Sequence, residues 1–274
     1  MNTFSMKPFV KWAGGKSQLL ERLTSKIPDN FGRYHEPFVG GGAFLLSFMP
    51  KKATINDSNE KLINVFNQLK MHLEELISSL SDLDSEICTK ERYSQIRDTY
   101  NAKKELDAEN AAMFIWLNKH CFNGLYRVNS KGMFNVPWNK KKTGISFEED
   151  NLRLIGQYLR KNDVTIACKD FETVCSRVRP NDFVYFDSPY LPVSETAYFT
   201  DYTADGFKAA DHERLAQVFR KLSDKGVKVM LSNNDVPRVY ELYDGFNIER
   251  FDVKRMINSN ANKRTGKEVI VTNY

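Results

Sequence analysis

The chain has 274 residues, one large domain or two modest ones at roughly 100–200 residues per domain, and it is long enough to bury a full core. Hydrophobic residues make up 41% and charged residues 27%, which excludes a collagenous or wholly disordered chain. No run approaches the roughly 18 consecutive apolar residues of a membrane span, and the net charge of +5 is only mildly basic.

The opening MNTFSMKPFVKW lacks an apolar signal core and a cleavage site, so a cytoplasmic protein with no membrane association is expected. The four cysteines, Cys88, Cys121, Cys168 and Cys175, show no CxxC spacing. They read as reduced packing thiols. The histidines are scattered, so no metal is expected.

In chain order, residues 17–27 carry apolar side chains at helical spacing after a Gly-Gly pair. Residues 33–39 read as a short strand ending in a glycine turn, and 52–56 as a second strand. A long helical region follows, with Leu62, Val65, Phe66, Leu69, Leu73, Leu76, Ile77 and Leu80 in a 3.6-residue rhythm. Residues 90–121 are also mostly helical. Residues 123–147 are rich in Asn, Gly and Lys and read as loops or a hairpin. From Asn110 to Phe147 no acidic residue occurs, while Lys119, Arg127, Lys131, Lys140, Lys141 and Lys142 alternate with Phe122, Tyr126, Phe134 and Trp138. One-sign charge with interleaved aromatics fits a polyanionic partner as well as it fits an ordinary basic surface.

After Asn151 the β-branched runs 164–168, 182–186 and 227–232 resemble buried parallel strands. A helical pattern at 210–226 lies between the last two and ends on a glycine. Two closing strands are joined by a basic loop. Strands alternating with helices indicate an α/β sheet, and the helical, basic middle (about 58–149) reads as an insertion.

Three segments carry chemistry. In PFVGGGAF (37–44) a strand runs into three glycines and a helix, which lets a ligand approach the backbone closely. An ordinary strand–helix turn has the same composition. Leu45 stands where a GxGxxG dinucleotide fingerprint needs glycine. Asp57, after the second strand, can accept two ribose hydroxyls, or cap a helix. Together these favour a nucleoside-bearing cofactor without a tightly held pyrophosphate. KWAGGKS (11–17) mimics the end of a P-loop, but Val10 stands where the first P-loop glycine belongs. Its glycines still offer N–H groups to a carboxylate or phosphate. In FVYFDSPY (183–190) an apolar strand ends in Asp187, Ser188, Pro189 and Tyr190. A carboxylate, a backbone carbonyl and an aromatic ring in that order suit a planar amino-substituted base. A strand-end turn uses the same residue types.

KWAGGK, PFVGGG, IND, KDF (169–171) and DSPY, in this order, resemble the motifs of the Dam-type DNA adenine-N6 methyltransferases, the alpha-ordered amino-methyltransferases. FNGLYRVNSKGMFNVPW (122–138) resembles the recognition segment of members that methylate adenine in GATC. ETAYFTDYTADGF (195–207) and VMLSN (229–233) also look like this family. The resemblance runs from about Phe9 to Tyr274. The sequence departs from the family's DPPY at Ser188, which still supplies the backbone carbonyl but not the rigidity of proline.

The resemblance implies a Rossmann-like α/β fold of the S-adenosylmethionine-dependent methyltransferases. Its mostly parallel seven-stranded sheet would carry an inserted, largely helical DNA-recognition domain. Residues 1–57 and 150–274 would form the catalytic domain and 58–149 the target-recognition domain. It implies methyl transfer from S-adenosylmethionine, giving S-adenosylhomocysteine, to N6 of a flipped adenine in double-stranded DNA, with Asp187, Ser188, Pro189 and Tyr190 as the catalytic set. Trp12, Ala13, Gly14 and Lys16 would take the methionine part, Phe38, Gly40 and Gly42 would lie against the cofactor, Asp57 would hold its ribose, and Asp170, Phe171 and Asp187 would complete its site. Lys11, Phe122, Asn123, Leu125, Arg127 and Pro137 would contact bases, with the Arg127 fork suited to guanine. Lys140, Lys141 and Lys142 and the loop 258–267 (Lys263, Arg264, Lys267) would contact phosphates. A monomer or weak dimer is expected, with a cognate restriction endonuclease as a functional partner. A non-catalytic DNA-binding relative disabled at DSPY and an N4-cytosine methyltransferase stay open as alternatives.

Overall fold

The computed structural model describes residues 6–12, 19–142, 144–192, 207–254 and 265–274. Among these described residues, seven strands are present: β1 (Tyr34–Glu36), β2 (Lys52–Asn56), β3 (Asp163–Ala167), β4 (Phe183–Phe186), β5 (Lys228–Asn234), β6 (Asn247–Lys254) and β7 (Thr265–Thr272). They form one sheet in the order β3-β2-β1-β4-β5-β7-β6. β1 runs parallel to β2 and β4, and β4 parallel to β5, while β7 is antiparallel to both β5 and β6. The mostly parallel seven-stranded α/β sheet implied by the resemblance is therefore present.

The chain divides into two compact units. One contains 1–16, 40–51 and 57–168, the other 17–39, 52–56 and 169–274. The first is built on helices α2 (Ala43–Phe48), α3 (Glu60–Met71), α4 (Leu73–Asp84), α5 (Lys90–Ala102), α6 (Ala108–His120) and α7 (Glu149–Lys161). Every residue of α6 from Asn110 to Asn118 is buried. A helix apolar all round belongs at the centre of its unit, and α3, α4 and α5 each pack on it. The apolar rhythm of 62–80 does mark buried residues, and the long helical region it suggests consists of two helices. His72 leaves helical geometry at φ −136° and ψ 46°. A one-residue break leaves the buried stripe in phase, so periodicity alone cannot register it. Asn59 and Asp107 cap α3 and α6 through their side-chain oxygens.

The second unit holds α1 (Leu20–Ser25), α8 (Phe171–Cys175), α9 (Ala209–Asp224) and α10 (Pro237–Leu242). Its core joins Val184, Phe186, Val229 and Leu231 of the sheet to Leu215 and Phe219 of α9. All four residues of β4 are buried, the mark of a parallel strand covered on both faces. Because β1, β2, β4 and β5 are parallel, their carboxyl ends share one edge of the sheet, where α/β proteins place ligands.

Three of the four histidines are buried. Burial lowers the pKa of His35, His120 and His212, and that of His212 falls from 6.5 to about 4. A depressed histidine binds its proton less readily folded than unfolded, so its contribution is complete above pH 6.5 and is lost as the pH falls toward 4. Acidification from pH 7 to 5 is expected to cost about 2 kcal/mol through His212 alone. Urea unfolding at the two pH values checks this, with a smaller loss expected in His212→Gln. Equal midpoints in the wild type would contradict it.

Candidate active site and nucleic-acid interface

In the helical unit the glycine turn is shaped by close approach. Gly40 and Gly42 have φ of +49° and +75°, and a Cβ on Gly40 would lie 2.7 Å from Trp12 Cδ1. Only glycine takes both this backbone and this contact cheaply. The Gly40 N–H donates to Asp57 Oδ2 at 3.1 Å, and Asp57 Oδ1 accepts from Asn59 N–H at 2.9 Å. Asp57 is thus not the cap of α3, which is Asn59. It is a half-buried carboxylate that braces the glycine turn. Burial raises its pKa, against the hydrogen bonds that favour the anion. Trp12 is half-buried, with its ring stacked on Tyr126 at 5.6 Å. Ala13, Gly14 and Lys16 lie outside the described residues.

In the same unit, residues 121–138 form a two-legged loop closed by the bridges Cys121↔Trp138 and Val128↔Phe134. This fits the expectation of loops or a hairpin over 123–147. Phe122, Asn123, Leu125, Arg127, Pro137, Lys140, Lys141 and Lys142 are all exposed, as is Lys11. Asn123 has φ +55° inside a 3-10 turn, which leaves Phe122 and Leu125 standing into solvent. The Arg127 guanidinium is held by Asn135, with Nε donating to Oδ1 at 2.8 Å and a terminal nitrogen to the backbone oxygen at 3.3 Å. An exposed arginine fixed in this way has lost part of the rotamer freedom that binding would otherwise remove.

In the sheet unit, the buried Asn56 amide ties two loops together. Its Nδ2 donates to Pro37 O at 3.0 Å and Lys169 O at 2.9 Å, and its Oδ1 accepts from Lys169 N at 2.8 Å. Phe38 and Phe171 follow these anchored residues, with ring centroids 5.3 Å apart. Asp170 caps α8 by accepting from Glu172 N and pairs with Arg214 at 2.5 Å. The Arg214 guanidinium also lies 4.5 Å from the Phe171 ring centroid. Lys263 and Arg264, and all of 195–207 except Phe207, are outside the described residues.

Asp187 directly follows β4 at the carboxyl edge and is half-buried. Ser232 Oγ donates to its Oδ1 at 3.4 Å and lies 2.9 Å from the Tyr185 hydroxyl. Ser188 is 2% exposed, and its hydroxyl has no hydrogen-bond partner among the described residues. Pro189 is exposed. Tyr190 is half-buried and donates to Glu268 Oε2 at 3.0 Å. Burial, with Asp187 and Glu268 nearby, holds its phenol well above the ordinary range. Leu191 is clamped at both backbone groups, its N–H by Asn233 Oδ1 at 2.9 Å and its carbonyl by Asn234 Nδ2 at 2.7 Å. A carboxylate, a strand-end carbonyl and a tethered ring therefore follow one another on a braced turn.

The sequence reading did not assign roles to Asn56, Ser232, Asn233, Asn234, Glu268 or Asn135. The signal available was polar residues closing an apolar strand, as in LSNN (231–234). Among the described residues no helix is long and apolar enough to cross a membrane.

The chain matches the model of the D12 class N6 adenine-specific DNA methyltransferases over residues 12–257. It is 41% identical to the Type II methyltransferase M1.LlaDCHI of Lactococcus lactis subsp. cremoris, with 100% of this chain and 97% of the relative covered. It is 42% identical to the Type II methyltransferase M.MjaIII of Methanocaldococcus jannaschii, covering 98% and 99%. It is 33% identical to the DNA adenine methylase of Haemophilus influenzae, covering 96% and 92%. These matches do not favour the N4-cytosine and non-catalytic readings. The chain belongs to the D12 class of N6 adenine-specific DNA methyltransferases.

Proposed function

We propose that this DNA adenine-N6 methyltransferase acts on the adenine of GATC in double-stranded DNA, flipping the base and using Asp187 and the Ser188 carbonyl on its amino group. The observation that carries the chemistry is the braced turn after β4. The exocyclic nitrogen is a poor nucleophile, because its lone pair is delocalised into the ring. Two acceptors on its hydrogens draw it toward tetrahedral geometry and free the lone pair. Fixed acceptors and fixed approach together lower the barrier by on the order of several kcal/mol. Tyr190 stacks on the flipped base, and Pro189 limits the turn's freedom. The C–S bond breaks to a neutral thioether, so no strong base is needed beforehand: the methylated nitrogen carries the positive charge and then loses one proton to solvent.

S-adenosylmethionine supplies the electrophilic methyl group and leaves as S-adenosylhomocysteine; no metal takes part. The residues fit such a donor: Asp57 offers a carboxylate beside glycines that admit close approach. In this reading Trp12, Ala13, Gly14 and Lys16 take the methionine end, Gly40 and Gly42 lie under the cofactor, and Asp57 takes the ribose. Phe38, Asp170 and Phe171 border the adenine. Residues 1–57 and 150–274 serve catalysis and 58–149 serve target recognition. The two Type II methyltransferases among the relatives support a role beside a cognate restriction endonuclease. The enzyme works in the cytoplasm as a monomer or weak dimer.

For DNA, Arg127 reads guanine O6 and N7, while Leu125 and Pro137 offer apolar contact to a thymine methyl. Phe122 fills the space left by the flipped base, Asn123 faces the orphan partner, and Lys11 reads a further guanine. Lys140 and Lys141 contact phosphates. The support for Arg127 is its exposed fork, held by Asn135. Arg127→Ala is expected to reduce discrimination at one base pair by roughly ten- to a hundredfold, corresponding to one bidentate base contact. The check is kcat/KM on duplexes in which each base pair of GATC is changed in turn. Unchanged specificity would remove Arg127 from the readout.

A further inference from the structure

Asn118 lies in the last turn of α6, 3% exposed, and no part of the reaction described above requires it. A polar side chain there must spend its hydrogen bonds inside the protein. Asn118 Oδ1 accepts the Lys11 N–H at 2.8 Å, and its Nδ2 donates to the Lys11 carbonyl at 2.9 Å. One amide therefore saturates both backbone groups of a single residue 107 positions away. The same Nδ2 donates to Gly124 O at 2.9 Å, within the loop that carries Phe122, Asn123, Leu125 and Arg127.

Two further contacts hold the same pair of segments together. Gly124 has φ +65°, and a Cβ there would lie 2.6 Å from both Cβ and Cδ of Lys11. The next residue, Trp12, stacks on Tyr126 at 5.6 Å and 26°. The Lys11 side chain itself is exposed. Its main chain is fixed while its ammonium has no partner among the described residues, which is how a residue that reads a surface from a rigid base is built.

We infer that Asn118 is a positioning residue for sequence discrimination, locking the Lys11 backbone against the Gly124 turn so that the lysine reads its base pair in fixed register with the recognition loop. This inference rests on the reading of Lys11 and residues 122–138 as DNA contacts. It explains why an amide is buried in the last turn of α6, and why residue 124 is glycine. An alanine at 118 strands three backbone groups and unfastens Lys11. An alanine at 124 pushes the lysine aside and leaves the Asn118 amide unaltered.

The test measures kcat/KM of the full chain on the GATC duplex and on four duplexes with one base pair changed in each. The wild type is compared with Lys11→Ala, Asn118→Ala, Gly124→Ala and the Lys11→Ala/Asn118→Ala double variant. Asn118→Ala and Gly124→Ala are expected to lose roughly five- to fiftyfold in discrimination, at the base pair that Lys11→Ala affects and at no other. The double variant should discriminate no worse than Lys11→Ala alone, because coupled residues are not additive. If Asn118→Ala fails to fold, Gly124→Ala carries the same expectation. An equal loss on all five duplexes, with the ratios preserved, would show that Asn118 only packs, and would overturn the inference while leaving Lys11 as a reader. A Lys11→Ala variant with wild-type discrimination would overturn both the inference and the reading beneath it.

Discussion

Asp187→Ala is expected to lower methyl transfer by at least about a thousandfold, at the upper end of what one preorganised polar group contributes. Two features make the loss specific. Asp187 lies just beyond β4, so its removal takes no residue from the buried strand. Its neighbour Ser232 keeps the Tyr185 hydroxyl as a partner, so no buried hydroxyl is stranded. Affinity for S-adenosylmethionine, measured by calorimetry, should change by less than about fivefold, since acceptance of the amino hydrogens matters most as the nitrogen changes geometry. A rate near that of the wild type would remove Asp187 from the mechanism.

Gly40→Ala should have the second largest effect, on cofactor affinity. The substitution places a methyl group 2.7 Å from Trp12 Cδ1, at a backbone φ of +49° that alanine disfavours. Trp12 cannot yield easily, because its ring is stacked on Tyr126. The turn must then move, and the Gly40 N–H leaves Asp57. The dissociation constant for S-adenosylmethionine is expected to rise by roughly thirtyfold or more, about 2 kcal/mol. DNA affinity without cofactor should stay within a few fold, because phosphate contacts dominate it. Unaltered cofactor affinity would show that the glycine turn is not part of the cofactor site.

Much of the sheet was legible because its strands are short apolar runs bounded by turn residues. β2 occupies the residues expected of it, and β4 and β5 lie within a residue or two of their apolar runs. The break at His72 was not legible, because burial keeps its phase across it. α10 escaped notice because a six-residue helix shows too little periodicity. At the site, the motif residues stood out by type and order. Their supports did not. Asn118 meets Lys11 across 107 residues, and Asn56 meets Lys169 across 113. A lone amide in an apolar segment carries no spacing that names its partner. Asp57 shows the reverse case: by itself it could equally cap a helix, and the fold gave the cap to Asn59 and set the carboxylate on the glycine turn. Only the assembled turn distinguishes those two uses of the same residue type.

The most direct test is methyl transfer from labelled S-adenosylmethionine to two duplexes, identical except that one carries GATC and the other a scrambled site, with the modified nucleoside identified afterwards. Label recovered as N6-methyladenine from the GATC duplex alone is the predicted result, and it would establish base, atom and site with Ser188 in place. Label on cytosine, equal label in both duplexes, or none while DNA and cofactor remain bound would contradict it.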